Sequence, residues 1–213
     1  MNDNNSINYN KLFGSWFETA TLADRQLYIT VLQYEEDYFP DMTFKPDSII
    51  SDFIRLEMPC DNGVYVTDYE DGPEELFSIS DGYYRCFINN LDDSIGRVNK
   101  KERTLTISPE YANDKSTILH EMIHAYISLV DYYAQFYHDI LLLCLYNNLK
   151  GKISDLDNRI LGHAHVWKCT EITKRGGSHD ILFFLKSLDL DLRCGYKLGT
   201  VCGYGRDIDE TMG

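Results

Sequence analysis

Long apolar runs are missing from this sequence. The longest, Ile140 to Tyr146, is far too short to cross a bilayer, so no membrane span is expected. The opening stretch, Met1 to Asn10, is polar and lacks both a basic start and an apolar segment, which argues against a secretory signal. The chain is therefore expected to be soluble and intracellular, in the cytoplasm or, in a eukaryote, the nucleus. Internal repeats and low-complexity linkers are also lacking. Cysteine occurs six times but never as Cys-x-x-Cys, which leaves a zinc ribbon or a thioredoxin-type motif unsupported. Cys144 and Cys169 lie among apolar residues in helical patterns and read as buried thiols.

Basic residues are few, 20 against 34 acidic, for a formal net charge of -14. The imbalance is local. Residues 1–96 hold 19 of the acidic side chains and 5 of the basic ones, which leaves 15 of each in residues 97–213. Such a chain repels phosphate backbones, so direct nucleic-acid binding is disfavoured. The acidic part, about residues 1–93, reads as a solubilising surface.

What the sequence does have is core material. Hydrophobic residues make up 44% and aromatics 13%, with sixteen tyrosines, enough for a single folded domain over residues 1–213. Leu12 to Tyr34 carries Trp16, Phe17, Leu27, Val31 and Tyr34 at helical spacing, and predicts one or two helices ending before Pro40. Residues 49–108 read as strand-rich, with β-favouring runs at 63–67 and 83–88. Ser94 to Asn99 and Arg103 to Ser108 flank a polar stretch and predict a hairpin. Lys115-Ser116-Thr117 opens a helix through Val130. A second helical pattern runs from Asp131 to Leu149, and a third from about His163 to Arg175. Ile181 to Leu188 is a short apolar run before a glycine-punctuated tail.

Residues 120–124 read His-Glu-Met-Ile-His. Positions four apart lie on one face of an α-helix, so His120 and His124 can bind one metal ion together. Glu121 between them is placed to take the proton of a zinc-activated water as general base. Leu119, Met122, Ile123 and Ala125 give this helix a buried face, and burying two histidines is costly without partners. Catalytic zinc takes a third protein ligand as a rule. Ile127 and Val130 stand where a metzincin would need glycine and histidine, so that arrangement is excluded. The downstream candidates are His138, His163, His165, Glu171 and His179. His138 sits in a tyrosine-rich helical pattern and reads as a structural histidine. His163 and His165 fall at a predicted loop-to-helix junction. Glu171 would suit a gluzincin.

The run Ser116 to Tyr126 resembles the active-site helix of SprT-like metallopeptidases, the group that includes Spartan. That family continues with a Gly-His-Gly element and an aromatic residue four positions after the histidine. This chain has Gly162-His163-Ala164 with Trp167 at the aromatic position. The resemblance covers about residues 94–175. It implies an α+β, zincin-like domain with a small mixed sheet packed on the His120–His124 helix and further helices around it. It implies Zn2+ as the metal, with His120, His124 and His163 as ligands. His165, which replaces a non-ligand of the family, and Glu171 remain competing donors. Arg103 to Glu110 resembles the family's edge strand, along which an extended substrate can pair. The implied activity is hydrolysis of peptide bonds in protein substrates, among them DNA-associated proteins.

The chain departs from the family at Ala164 and His165, and in a helical insertion at about residues 131–158. It also lacks a zinc ribbon and a basic DNA-binding tail. The insertion keeps a second reading open, that of a non-catalytic zinc-binding interaction module with a covered cleft. Two further features complete the sequence. Arg97, Lys100, Lys101 and Arg103 form a small basic cluster on the predicted hairpin, and Tyr126, Tyr196 and Tyr204 are candidates to stabilise an oxyanion. Gly199 to Gly205 approximates an aspzincin element without its aspartate ligand and reads as a turn-rich tail.

Overall fold

The structure is a computed structural model that describes residues 9–39, 84–92, 94–133, 135–166 and 179–203. The predicted strand at 63–67, together with Trp167, Cys169, Glu171 and Tyr204, lies outside the described residues.

Two helices open the fold, α1 (Tyr9–Thr19) and α2 (Leu22–Tyr38). The break between them has a local cause. Thr21 is the N-cap of α2, its hydroxyl accepting from Asp24 N while the Asp24 carboxylate accepts from Thr21 N, so the first turn of α2 closes on itself. The other Asp24 oxygen accepts from Ile88 N at 2.7 Å and fixes α2 to the end of the first strand. Trp16 packs edge-on against Tyr28 and Phe87, which seats α1 on the same corner.

Among the described residues three strands come next, β1 (Arg85–Ile88), β2 (Gly96–Asn99) and β3 (Thr104–Ile107), in the spatial order β1-β3-β2. β1 runs parallel to β3, and β2 antiparallel to it. The predicted hairpin is therefore present as β2–β3. Its turn is held by the Asn99 side-chain oxygen, which accepts from Lys101 N and Glu102 N, and by Arg103 in the left-handed region at φ 51°. One expectation is corrected here. The segment Arg103 to Glu110 supplies the central strand and not an edge, because β1 pairs with β3 on the side away from β2. The edge beside the histidine-bearing helix is β2.

After a 3-10 turn (Pro109–Tyr111) come α3 (Lys115–Tyr133), α4 (Gln135–Lys150), α5 (Leu156–Val166) and α6 (Ile181–Cys194). Asp114 starts α3, its carboxylate accepting from Thr117 N and from the hydroxyls of Ser116 and Thr117. The hydrogen bonds outweigh burial and hold its carboxyl below the usual range. Ile118, Leu119, Met122, Ile123, Ala125 and Tyr126 of α3 are all buried, with Leu105 and Ile107 of β3 in the same core. The third helix differs from expectation. It begins at Leu156, so His163 and His165 stand in its last turn and not at its entrance. The apolar run at 181–188 is the first half of a longer helix, α6, which is buried from Ile181 through Asp191. Cys144, expected to be buried, is half-buried.

The architecture is thus mixed α+β, with a small mixed sheet on one side of α3 and the helices α4 and α6 on the other. The segment read as an insertion supplies α4, which packs on both α3 and α6. Among the described residues no helix is long and apolar enough to cross a membrane.

Candidate metal centre

α3 presents His120 and His124 one turn apart on the face turned to α6. Their Nε2 atoms stand 3.3 Å apart. A third imidazole meets them from the chain that enters α6: His179 places its Nε2 3.2 Å from that of His120. The donor atoms of the three side chains all lie within 4.8 Å of one another. Phe183, one turn into α6 and fully buried, touches all three rings, with ring centroids 4.8 Å from His120, 4.5 Å from His124 and 4.6 Å from His179. The imidazoles therefore sit against a rigid apolar wall.

The protonation of this group follows from burial. Desolvation pushes His120 down to about 3, His124 to about 2 and His179 to about 4, and neighbouring imidazoles reinforce each shift, His163 being the one that acts on His179. All three are neutral at pH 7. The tautomer of His120 is fixed too, because its Nδ1 lies 2.9 Å from the carbonyl oxygen of Val201, which can only accept. His120 Nδ1 thus carries the proton and Nε2 offers a lone pair to the other two rings. A hydrogen bond from the distal nitrogen to a carbonyl is the usual way a ligating histidine is oriented. His120 Nε2 lies within hydrogen-bond distance of both other rings, and neutral nitrogens that close repel through their lone pairs unless a proton or a cation lies between them. The donor set fits a divalent ion that accepts imidazole ligands. His120, His124 and His179 could hold such an ion.

Val201 is itself held by a buried carboxylate. Asp191, near the end of α6, accepts from Val201 N at 2.9 Å through one oxygen and from Gly199 N at 2.6 Å through the other. Burial pushes its carboxyl up to about 6 despite these bonds. The segment Gly199 to Gly203 is a turn, as the sequence suggested, and its role is to present the Val201 carbonyl to His120.

Glu121 points to the sheet side of α3 and is 2% exposed. Its side chain lies against Gly96, the first residue of β2, so closely that a Cβ there would stand 2.6 Å from both Glu121 Cγ and Oε1. This explains glycine at position 96 by space alone, since its backbone needs no positive φ.

The third nitrogen is where sequence and structure part. His163, implied as the ligand, does not join His120 and His124. Its ring stacks on Phe184 at 4.2 Å and its Nε2 lies 3.0 Å from the carbonyl oxygen of His179. The physical reason is the placement of α5: His163 falls in the last turn of that helix, packed on α6, while His179 comes directly off the start of α6 toward α3. His165 is exposed at the end of α5 and outside the group. His179 was one of five candidates, and a local signal marked it. Ser-His-Asp before an apolar run is a helix start, and Asp180 is indeed the N-cap of α6, accepting from Phe183 N at 2.8 Å.

The tyrosine candidates separate as well. Tyr126 is fully buried with its ring stacked on Phe39 at 4.8 Å, and Tyr196 stands near Lys115 and Tyr34 at the start of α3. In the basic cluster, Arg97, Lys100 and Lys101 are exposed. Lys100 is near enough to His124 to contribute to its lowered pKa.

No protein-family model, no curated protein and no solved structure matches this chain.

Proposed function

We propose that this protein is a zinc-dependent metallopeptidase of SprT-like, zincin-like character, with His120, His124 and His179 as metal ligands and Glu121 as the general base. The observation that carries the reading is the convergence of three neutral imidazole nitrogens, two of them from a helix whose intervening glutamate is buried against a sheet edge. Three protein nitrogens leave a position for water, the pattern of catalytic and not structural zinc. A zinc ion there would supply Lewis acidity, lowering the pKa of water and polarising a peptide carbonyl.

The chain's own contribution is positioning and proton transfer. Glu121 receives the proton of the attacking water on its carboxylate and delivers it to the departing amine nitrogen. Its side chain is confined between α3 and Gly96, which limits the geometries it can take. Among the described residues β2 has a strand partner on one side only, β3. A substrate backbone paired along the other side would bring its carbonyl past Gly96, next to Glu121. Phe183 behind the imidazoles keeps that side of the centre apolar.

The test is metal content and turnover measured on the same preparations. Wild type is expected to hold one zinc per chain and to cleave an unfolded protein such as casein. Glu121→Gln is expected to keep the zinc and lose activity by about 10²–10⁴-fold, the usual worth of a general base. His179→Ala is expected to lose both. Zinc with no turnover on any unfolded substrate would favour the interaction-module reading, and a chain that takes up no metal would end both.

A further inference from the structure

Two histidines outside the three-nitrogen group converge on the turn that carries His179. His163 comes from α5 and is 5% exposed; its Nε2 lies 3.0 Å from the His179 carbonyl oxygen. A carbonyl only accepts, so this nitrogen carries a proton and donates. His138 comes from α4 and is 2% exposed; its Nε2 lies 3.1 Å from Oδ2 of Asp180. Asp180 is 5% exposed and uses its other oxygen to cap α6 through Phe183 N. Two separate helices thus hold this junction, His163 through the His179 carbonyl and His138 through the Asp180 carboxylate.

We propose that His163 and His138 are positioning residues for the metal centre, clamping the His179–Asp180 backbone so that the His179 imidazole is already in place when the ion arrives. The proposal rests on the reading of His120, His124 and His179 as metal ligands. The reason such a clamp is needed lies in the chain. His120 and His124 are fixed by α3, but His179 precedes the first residue of α6. An unheld residue there would lose backbone and side-chain freedom on binding, which weakens affinity for the ion. A hydrogen bond to its carbonyl on one side and a capped, hydrogen-bonded neighbour on the other remove that freedom in advance. The stacking of His163 on Phe184, with ring planes 12° apart, locks the donor as well. A protonated Nε2 pointing at a carbonyl is not a metal donor, so the same hydrogen bond that positions His179 prevents His163 from ligating through Nε2.

The experiment compares metal affinity in wild type, His179→Ala, His163→Ala, His163→Gln and His138→Leu. Zn2+ is titrated against a chelator, and the spectrum of the Co2+-loaded protein is recorded. Glutamine carries an N–H donor at about the reach of imidazole Nε2 but is a poor ligand for zinc. His163→Gln is therefore expected to bind Zn2+ within about threefold of wild type and to give an unchanged Co2+ spectrum. His163→Ala and His138→Leu are expected to bind about 10–100-fold more weakly, the usual effect of losing an orienting partner. Far-UV circular dichroism of the metal-free variants, matching wild type, is the expected control. Loss of the metal in His163→Gln as complete as in His179→Ala would make His163 a ligand and overturn the proposal. So would wild-type affinity in both His163→Ala and His138→Leu. His179→Ala keeping its zinc, or wild type binding none, would instead remove the ligand assignment on which the proposal stands.

Discussion

Gly96 and Glu121 occupy adjoining space: no side chain fits at position 96 without displacing the glutamate. The atoms that a Cβ would meet are all on the flexible Glu121 side chain, so the backbone need not move. Gly96→Ala is therefore expected to fold and to keep its metal while Glu121 shifts. A displacement of about 1 Å at a reacting group can cost on the order of 10²-fold in rate. The check is kcat alongside zinc content: a loss of turnover with full zinc is expected, and unchanged turnover would mean that Glu121 does not act from this position.

Asp191 offers a second test, at one remove from the metal. Asparagine has a single acceptor oxygen, so Asp191→Asn leaves either Gly199 N–H or Val201 N–H facing an NH2 group. An unsatisfied buried donor costs about 1–3 kcal/mol. Relief of a buried charge offsets part of this, since burial already raises the Asp191 pKa to about 6. The hydrogen-bond loss is expected to dominate. The thermal midpoint of the metal-free protein should fall, and zinc affinity should drop about tenfold as the Val201 carbonyl drifts from His120.

The histidines give a pH dependence with a definite sign. In the unfolded chain they titrate near 6.5, and in the metal-free fold burial holds His120 at about 3, His124 at about 2 and His179 at about 4. Below 6.5 the unfolded state takes up protons that the fold refuses, so stability is full above that pH and falls as the solution is acidified toward the folded values. Each affected histidine contributes a slope of up to about 1.4 kcal/mol per pH unit. Urea midpoints in chelator should decline from pH 7 to pH 5. Saturating zinc should raise the midpoints across that range without changing the slope, because the metal-free fold already holds these histidines unprotonated there.

Lys186 tests the packing of α6. It is fully buried, its Nζ 3.2 Å from Asp189 Oδ2 and donating to the Tyr38 carbonyl at 2.8 Å. It therefore ties α6 to the last turn of α2. Lys186→Met fills the volume but removes the charge, and breaking a buried pair from one side costs about 3–5 kcal/mol. Arg193, 3.0 Å from the same Asp189 oxygen, holds the effect toward the lower end. Urea denaturation should show the loss with little change in zinc stoichiometry.

What the sequence made legible was what is local. His120, Glu121 and His124 are read from one helical turn, and the β2–β3 hairpin and the opening of α3 from neighbouring residues. Helices α1 and α2, ending before Pro40, follow from periodicity. The third nitrogen did not, because it depends on where α5 ends and α6 begins in space. His163 and His179 carry the same chemistry, and only the packing of their helices separates them. The resemblance favoured His163 through its Gly-His element, but in the structure that histidine holds the backbone of the one that joins the metal group. The strand order was likewise hidden. A parallel pair such as β1–β3 leaves no turn signature, so β3 read as an edge when it is central. Asp191 and Val201 had no local mark, since a buried carboxylate that holds a turn looks like any acidic residue of a helix.

One helix meets the centre at both ends. His179 and its cap Asp180 lie at the start of α6, and Asp191, which holds the carbonyl behind His120, lies about three turns further on. The length of α6 is thereby a fixed measure. Adding or deleting one residue would advance its far end by about 1.5 Å and rotate it by about 100°. Asp191 would then face away from the Gly199–Val201 turn while His179 stayed in place. Changes of length in this helix cannot be absorbed, and a homologue that keeps the centre should keep that spacing even where little else is shared.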